Sequence, residues 1–289
     1  MTQHTEPQPA ATSASVSDTV LVDTSLLIEQ QKRHKYAQPV RRALEAYRFR
    51  GASSYSKLEF KRAWLQRLAF IYTISLRPDV KTITDLIDYF NRKLASHPLQ
   101  QRRLQSCLDM LLAFFDLGSC QVSHSTQLVR LRAHCRRSIL DSSQVLNDLV
   151  TAYFRNTHCS RAEEPPRELA GGFLDVSIPK CKPSAHPCQL AEFFTANQSL
   201  FASLADYIDT QQLCSDELKT MRDHIRQALK APTHLCTDGN CSKIADAIIA
   251  VDGKDMDTFA ANNNAEWRHI AAAFRKPLLN PVVSPYPQI

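Results

Sequence analysis

The chain has 289 residues, enough for one large domain or two ordinary ones, and 44% are hydrophobic, so a substantial core can form. Only 6 are glycine, which argues against an all-β protein built on tight turns. The net charge of +6 is a mild bias toward a polyanionic partner, and the 9 cysteines, odd in number and scattered, argue against a secreted disulfide framework.

Residues 1–17 are polar and lack a signal-type apolar core, so they read as a disordered tail. No apolar stretch approaches the ~20 residues of a membrane span. A cytoplasmic protein without a membrane partner is expected. Val20-Leu21-Val22 reads as a buried strand that ends on Asp23, with Thr24 and Ser25 placed to cap the next helix. A carboxylate directly after such a strand falls at the carboxyl edge of a sheet, where open α/β folds bind ligands. A helix near Pro39 carries Val40, Ala43, Leu44 and Tyr47 at helical spacing and breaks at Gly51. Ser54 or Ser56 then caps a helix with Glu59 in its first turns and Leu58, Phe60, Trp64, Leu65 and Leu68 at apolar positions.

From about residue 70 to 230 helical periodicity dominates, over 82–95, 99–116, 125–156, 188–210 and 215–230. Pro165-Pro166, Gly171-Gly172, Pro179, Pro183 and Pro187 make 157–187 a long irregular loop. Toward the end, Ile244-Ala245-Asp246-Ala247-Ile248-Ile249-Ala250 reads as an apolar helix around one acid. Met256 to Ala261 reads as a short strand, and Glu266 to Phe274 as an amphipathic helix.

Two basic groups stand out. Arg41, Arg42, Arg48, Arg50, Lys57, Lys61, Arg62 and Arg67 surround Glu59 in sequence, and Arg130, Arg132, Arg136 and Arg137 form the second. They read either as solvated helix faces or as a phosphate-backbone track. In the track reading, Lys57, Lys61 and Arg62 contact nucleic acid.

Asp23, Glu59 and Asp246 form a candidate metal set. Mg²⁺ and Mn²⁺ prefer oxygen ligands, and clustered carboxylates can hold them against a phosphodiester. Each acid also has a purely structural reading, as a cap, a dipole partner or a polar-face residue. Two close thiol pairs, Cys181 with Cys188 and Cys236 with Cys241, suggest a four-thiolate zinc site, with His158, Cys159, His186 and His234 as competing ligands. The alternative is free cysteines serving as small apolar fillers.

The run at 20–28 resembles the opening strand and helix of PIN-domain nucleases. Ser54-Tyr55-Ser56-Lys57-Leu58-Glu59 is similar to that family's second block, and Ile244 to Ala250 to its third. Asn262-Asn263-Asn264-Ala265-Glu266-Trp267 is similar to the last, with Ala261 in place of the usual Thr and Asn263 where an Asp often stands. The resemblance covers about 18–68 and 235–275.

It implies an α/β fold with a PIN-like three-layer core and a central, mostly parallel sheet. That core would be discontinuous, built from 18–68 plus 232–276. A large all-helical insertion, 69–231, would interrupt it, and 277–289 would be a Pro-containing tail. It also implies a Mg²⁺- or Mn²⁺-dependent endonuclease acting on RNA, with DNA left open. Asp23, Glu59 and Asp246 would bind the metal, and Asn263 and Glu266 would complete the catalytic set. Asp252, Asp255 or Asp257 could supply the missing carboxylate in another register. The alternatives are a PIN-like RNA-binding module without turnover and a helical protein-interaction protein. The large insertion leaves room for a homo-oligomer or a regulatory protein partner.

Overall fold

The computed structural model describes residues 18–31, 37–96, 101–116, 123–179, 181, 188–211, 214–237 and 239–281. The expected tail over 1–17, most of the one over 277–289, and His186 lie outside them.

β1 (Thr19–Val22) leads directly into α1 (Thr24–Gln31), and α2 (Ala37–Glu45) leads into β2 (Phe49–Ser53). β1 is apolar because it is covered on both faces, as parallel strands usually are. Val20 and Val22 join one hydrophobic cluster and Leu21 the other, following the period-two alternation of a strand. Helices therefore pack on both faces of the sheet.

Gly51 lets β2 approach its neighbour closely, since a Cβ there would run into the ring of Phe154. Ser53 caps α3 (Ser54–Phe60) by accepting the backbone N–H of Tyr55 at 3.1 Å. The expected cap, Ser54 or Ser56, lies inside the helix instead. A π-helical stretch, Lys61–Leu65, joins α3 to α4 (Gln66–Ser75), with the Gln66 N–H reaching the Lys61 carbonyl. Such a stretch shifts the angular phase of the residues that follow.

α5 (Ile83–Ser96), α6 (Gln101–Asp116) and α7 (His124–Leu140) pack with α4 on the first face, and α8 (Ser142–Leu149) follows. The expected helix over 125–156 thus breaks at Asp141, then gives way to β3 (Ala152–Phe154). β3 pairs in parallel with β2, so the middle of the chain is not an all-helical insertion: it supplies a strand of the main sheet. The expected loop after it also has structure. It holds α9 (Ser160–Glu163) and an antiparallel pair, β4 (Arg167–Glu168) with β5 (Leu174–Asp175).

The second face carries α10 (Leu190–Ala196), α11 (Gln198–Thr210) and α12 (Asp216–Lys230). A 3-10 turn, Pro232–Cys236, and the short α13 (Asn240–Lys243) lead into α14 (Ala245–Asp252). β6 (Thr258–Ala260), α15 (Asn264–Ala273) and β7 (Leu278–Leu279) complete the chain.

The main sheet has the order β3-β2-β1-β6-β7, with every pairing parallel. The chain therefore builds outward from β1 in one direction, then returns to its other side through β6. That reversal places a topological switch point between β1 and β6, where open α/β sheets form a crevice at their carboxyl ends. No helix among the described residues is long and apolar enough to cross a membrane.

Candidate metal centre

Asp23 follows β1 at the switch point. Its backbone N–H donates to the Ala260 carbonyl at 2.9 Å, which ties it to the end of β6. One carboxylate oxygen accepts the Ser25 N–H at 2.9 Å and the Ser25 hydroxyl at 2.5 Å. Asp23 itself therefore caps α1, a task expected of Thr24 and Ser25. Those two hydroxyls do something else. Thr24 Oγ1 donates to Glu59 at 2.9 Å, and Ser25 Oγ accepts the backbone N–H of Asn262 at 2.9 Å.

Glu59 lies in the last turn of α3, and Asp246 in the first turn of α14. Each offers a carboxylate oxygen to the same point as Asp23, and the three oxygens lie within 4.8 Å of one another. A cleft of about 400 Å³ opens beside them, lined by Glu59, Asp246, Asn263 and Glu266. All five residues assigned to the catalytic set thus come to one edge of the sheet. They do so unequally: Asn263 is exposed, whereas Glu266 is buried, with one carboxylate oxygen lacking a hydrogen-bond partner.

Three carboxylates in so little space cannot all ionise cheaply. Burial raises the pKa of Asp23, against the opposing hydrogen bonds from Ser25 and Thr24. Burial and then the charge of Asp23 push Glu59 up to about 7, while Thr24 and Arg62 pull it back. Asp246 is raised well above its ordinary value by burial and by the charges of Asp23, Glu59 and Glu266. Like charges crowded in a low-dielectric site hold protons or recruit a cation. The other oxygen of Asp23 is buried without a hydrogen-bond partner, which leaves a lone-pair acceptor aimed at no donor. Three oxygen donors placed like this could hold a metal ion.

The other acids considered for the site do not reach it. Asp252 accepts bonds from Ser53 Oγ at 2.7 Å, Thr157 Oγ1 at 3.0 Å and Asn156 Nδ2 at 2.9 Å, and so pins α14 to the ends of β2 and β3. Asp257 accepts from the backbone and hydroxyl of Thr19, at the opposite end of β1. Asp255 is exposed, outside the converging set.

No family model, curated protein or solved structure matches this chain. The assignment of the site therefore stands on its own geometry.

The basic residues divide. Lys61 is buried, and its ammonium donates to the Glu164 carbonyl at 2.8 Å and to that of Arg161 at 3.5 Å, so it is not a nucleic-acid contact. Lys57 stays partly exposed, with its ammonium 4.6 Å from the centre of the Tyr153 ring and 3.7 Å from Glu163. Arg62 stands beside Tyr55, Cys241 and Glu59. In the second basic group, Arg132 donates to the carbonyls of Ser75 and Val80, and Arg136 pairs with Glu168 at 2.9 Å. Two members of that group therefore have protein partners.

Sequence reading missed Asp216 and Glu217, which line the cleft from the first turn of α12. Ser215 caps that helix and also donates to Glu266 at 3.4 Å. The Ser-Asp-Glu start marks a helix N-terminus in the sequence, but nothing in it signals a shared cleft. Cys241, one of the four expected zinc ligands, is buried beside Tyr55 and Arg62 and does not join the other three thiols.

Proposed function

We propose that this chain is a divalent-metal-dependent endonuclease of PIN type, acting on RNA. The observation that carries the reading is the convergence of Asp23, Glu59 and Asp246 within 4.8 Å at the switch point of a parallel sheet.

Asp23, Glu59 and Asp246 would hold Mg²⁺ or Mn²⁺, and Glu266 would add charge from the cleft wall. A bound cation would supply Lewis-acid stabilisation of the phosphate and activation of water for hydrolysis. The protein's own groups prepare the site. Thr24 orients Glu59, and Ser25 links Asp23 to the backbone of Asn262. The Arg62 charge favours the ionised form of Glu59.

A second cleft of about 600 Å³ lies at the start of α3 and the exit of β3. Lys57, Arg155 and His158 line it, together with Ser54 from the start of the helix that carries Glu59. Glu163 lines it too, 3.7 Å from the Lys57 ammonium and 3.9 Å from His158 Nδ1.

The decisive experiment compares wild type with Asp23→Asn and Asp246→Asn on single-stranded RNA in Mg²⁺ and Mn²⁺. Cleavage by wild type and its loss in both variants, with circular dichroism unchanged, is the expected result. Equal cleavage by the variants would sink the assignment. Salt-sensitive RNA binding in EDTA, with no cleavage in any metal, would replace it with a binding module.

A further inference from the structure

Four cysteines lie in neighbouring segments outside the acidic set. Cys159 and Cys188 face each other across an isolated antiparallel bridge, which the Gln189 N–H reinforces by donating to the His158 carbonyl at 3.4 Å. The Cys181 thiol donates to the Cys236 carbonyl at 3.3 Å. The two pairs are neighbours, because α10, which starts just after Cys188, packs against the 3-10 turn that ends on Cys236. Cys236, Cys159 and Cys181 all lie close enough to bear on the ionisation of Cys188.

We propose that Cys159, Cys181, Cys188 and Cys236 form a structural zinc site. Soft thiolates select Zn²⁺ among the common divalent ions, and four of them make the closed tetrahedral set typical of structural rather than catalytic zinc. Metal–sulfur bonds of about 2.3 Å draw the sulfurs closer than they stand here, since among the described residues only the carboxylates bring three ligand atoms within 4.8 Å. Each thiol gives up its proton as the metal binds.

The placement gives the site a purpose. Cys159 follows Asn156 and Thr157, which bond Asp252 at the end of α14. Cys236 precedes α13, which leads into the helix that carries Asp246. Zinc would clamp the exit of β3 to both ends of the helix that carries this acid. The site is independent of the nuclease reading, since it needs neither Asp23 nor Glu59.

The test uses the full chain, loaded with excess Zn²⁺, desalted and assayed for metal. One equivalent per chain is expected, released by a mercurial thiol reagent and unchanged in Asp23→Asn and Cys241→Ser. Co²⁺ in place of Zn²⁺ is expected to show intense sulfur-to-metal charge-transfer absorption and the visible bands of a tetrahedral thiolate site. Cys188→Ser is expected to lose the bound zinc. If that variant does not fold, the wild-type Co²⁺ spectrum decides alone. Absence of the charge-transfer band, substoichiometric zinc in wild type, or full zinc retention by a folded Cys188→Ser overturns the site.

Discussion

The Thr24 hydroxyl donates to a carboxylate oxygen of Glu59 at 2.9 Å. This bond joins the ends of two neighbouring parallel strands, because Thr24 opens α1 after β1 and Glu59 closes α3 after β2. It favours the ionised form of Glu59 and fixes its direction. Thr24→Val removes the donor at nearly constant volume. The expected result is a loss of ~10–100-fold in Mn²⁺ affinity, the usual effect of deleting an outer hydrogen-bond partner of a metal ligand. Titration calorimetry with Mn²⁺ at alkaline pH measures it, and an unchanged affinity would remove Thr24 from the site.

The crowded acids make the metal-free protein sensitive to pH. Glu59 is raised from 4.5 to about 7 in the fold, so the folded state binds more protons than the unfolded state between those values. Its contribution is present below pH 4.5 and is lost as pH rises through 7. The change is on the order of 3 kcal/mol for a shift of this size. Asp23 and Asp246 are raised too, and act in the same direction. Urea unfolding of the EDTA-treated protein is therefore expected to show falling stability from pH 5 to 8, with added Mn²⁺ restoring it most at pH 8. A stability that rises across that range without metal would contradict the raised values.

Glu266 and Asn263 divide the fourth corner of the site. Glu266 is buried and its charge raises Asp246, whereas Asn263 sits exposed on the cleft wall. Glu266→Gln is expected to lower cleavage by at least ~10-fold and Asn263→Ala to leave the rate near wild type. Initial rates at saturating Mn²⁺ compare them. The reverse ranking would return the fourth position to Asn263.

The three acids were singled out as an ordered set that resembles the blocks of PIN-domain nucleases; taken singly, each had a structural reading as a cap, a dipole partner or a polar-face residue. Asp23 ends an apolar run, Glu59 sits in a capped helix, and Asp246 interrupts small apolar residues. β3 was hidden because three residues carry little periodicity, and the helical pattern of 125–149 ran on into them. The stretch Val150-Thr151-Ala152-Tyr153-Phe154 did hold a local signal in its β-branched and aromatic residues. Lys61 looked like a phosphate contact within a basic run, yet its ammonium is held by the carbonyls of Arg161 and Glu164. Cys241 shows the same limit. Nearness in sequence paired it with Cys236, but α13 carries it to Tyr55 and Arg62. Partners brought together by tertiary packing leave no mark in local spacing.

Gly253 tests how tightly α14 is packed against β1. It follows α14 with φ −97°, a backbone angle open to any residue. Replacing glycine by alanine at such a position ordinarily stabilises by about 0.4–1 kcal/mol, through the unfolded chain. Here the added Cβ would collide with the Leu21 side chain, which is wholly buried in β1 two residues before Asp23. Overpacking of this kind costs about 1–3 kcal/mol, so Gly253→Ala is expected to destabilise despite the favourable entropy. Leu21→Ala alone opens a cavity and also destabilises, by roughly 2–5 kcal/mol. Because the two side chains compete for one space, the double variant is expected to be more stable than the sum of the single losses implies. Urea midpoints of the four proteins, at constant m, complete the cycle. Additive losses would mean that Leu21 and Gly253 do not share that space, and that α14 is not braced against β1 beneath Asp23.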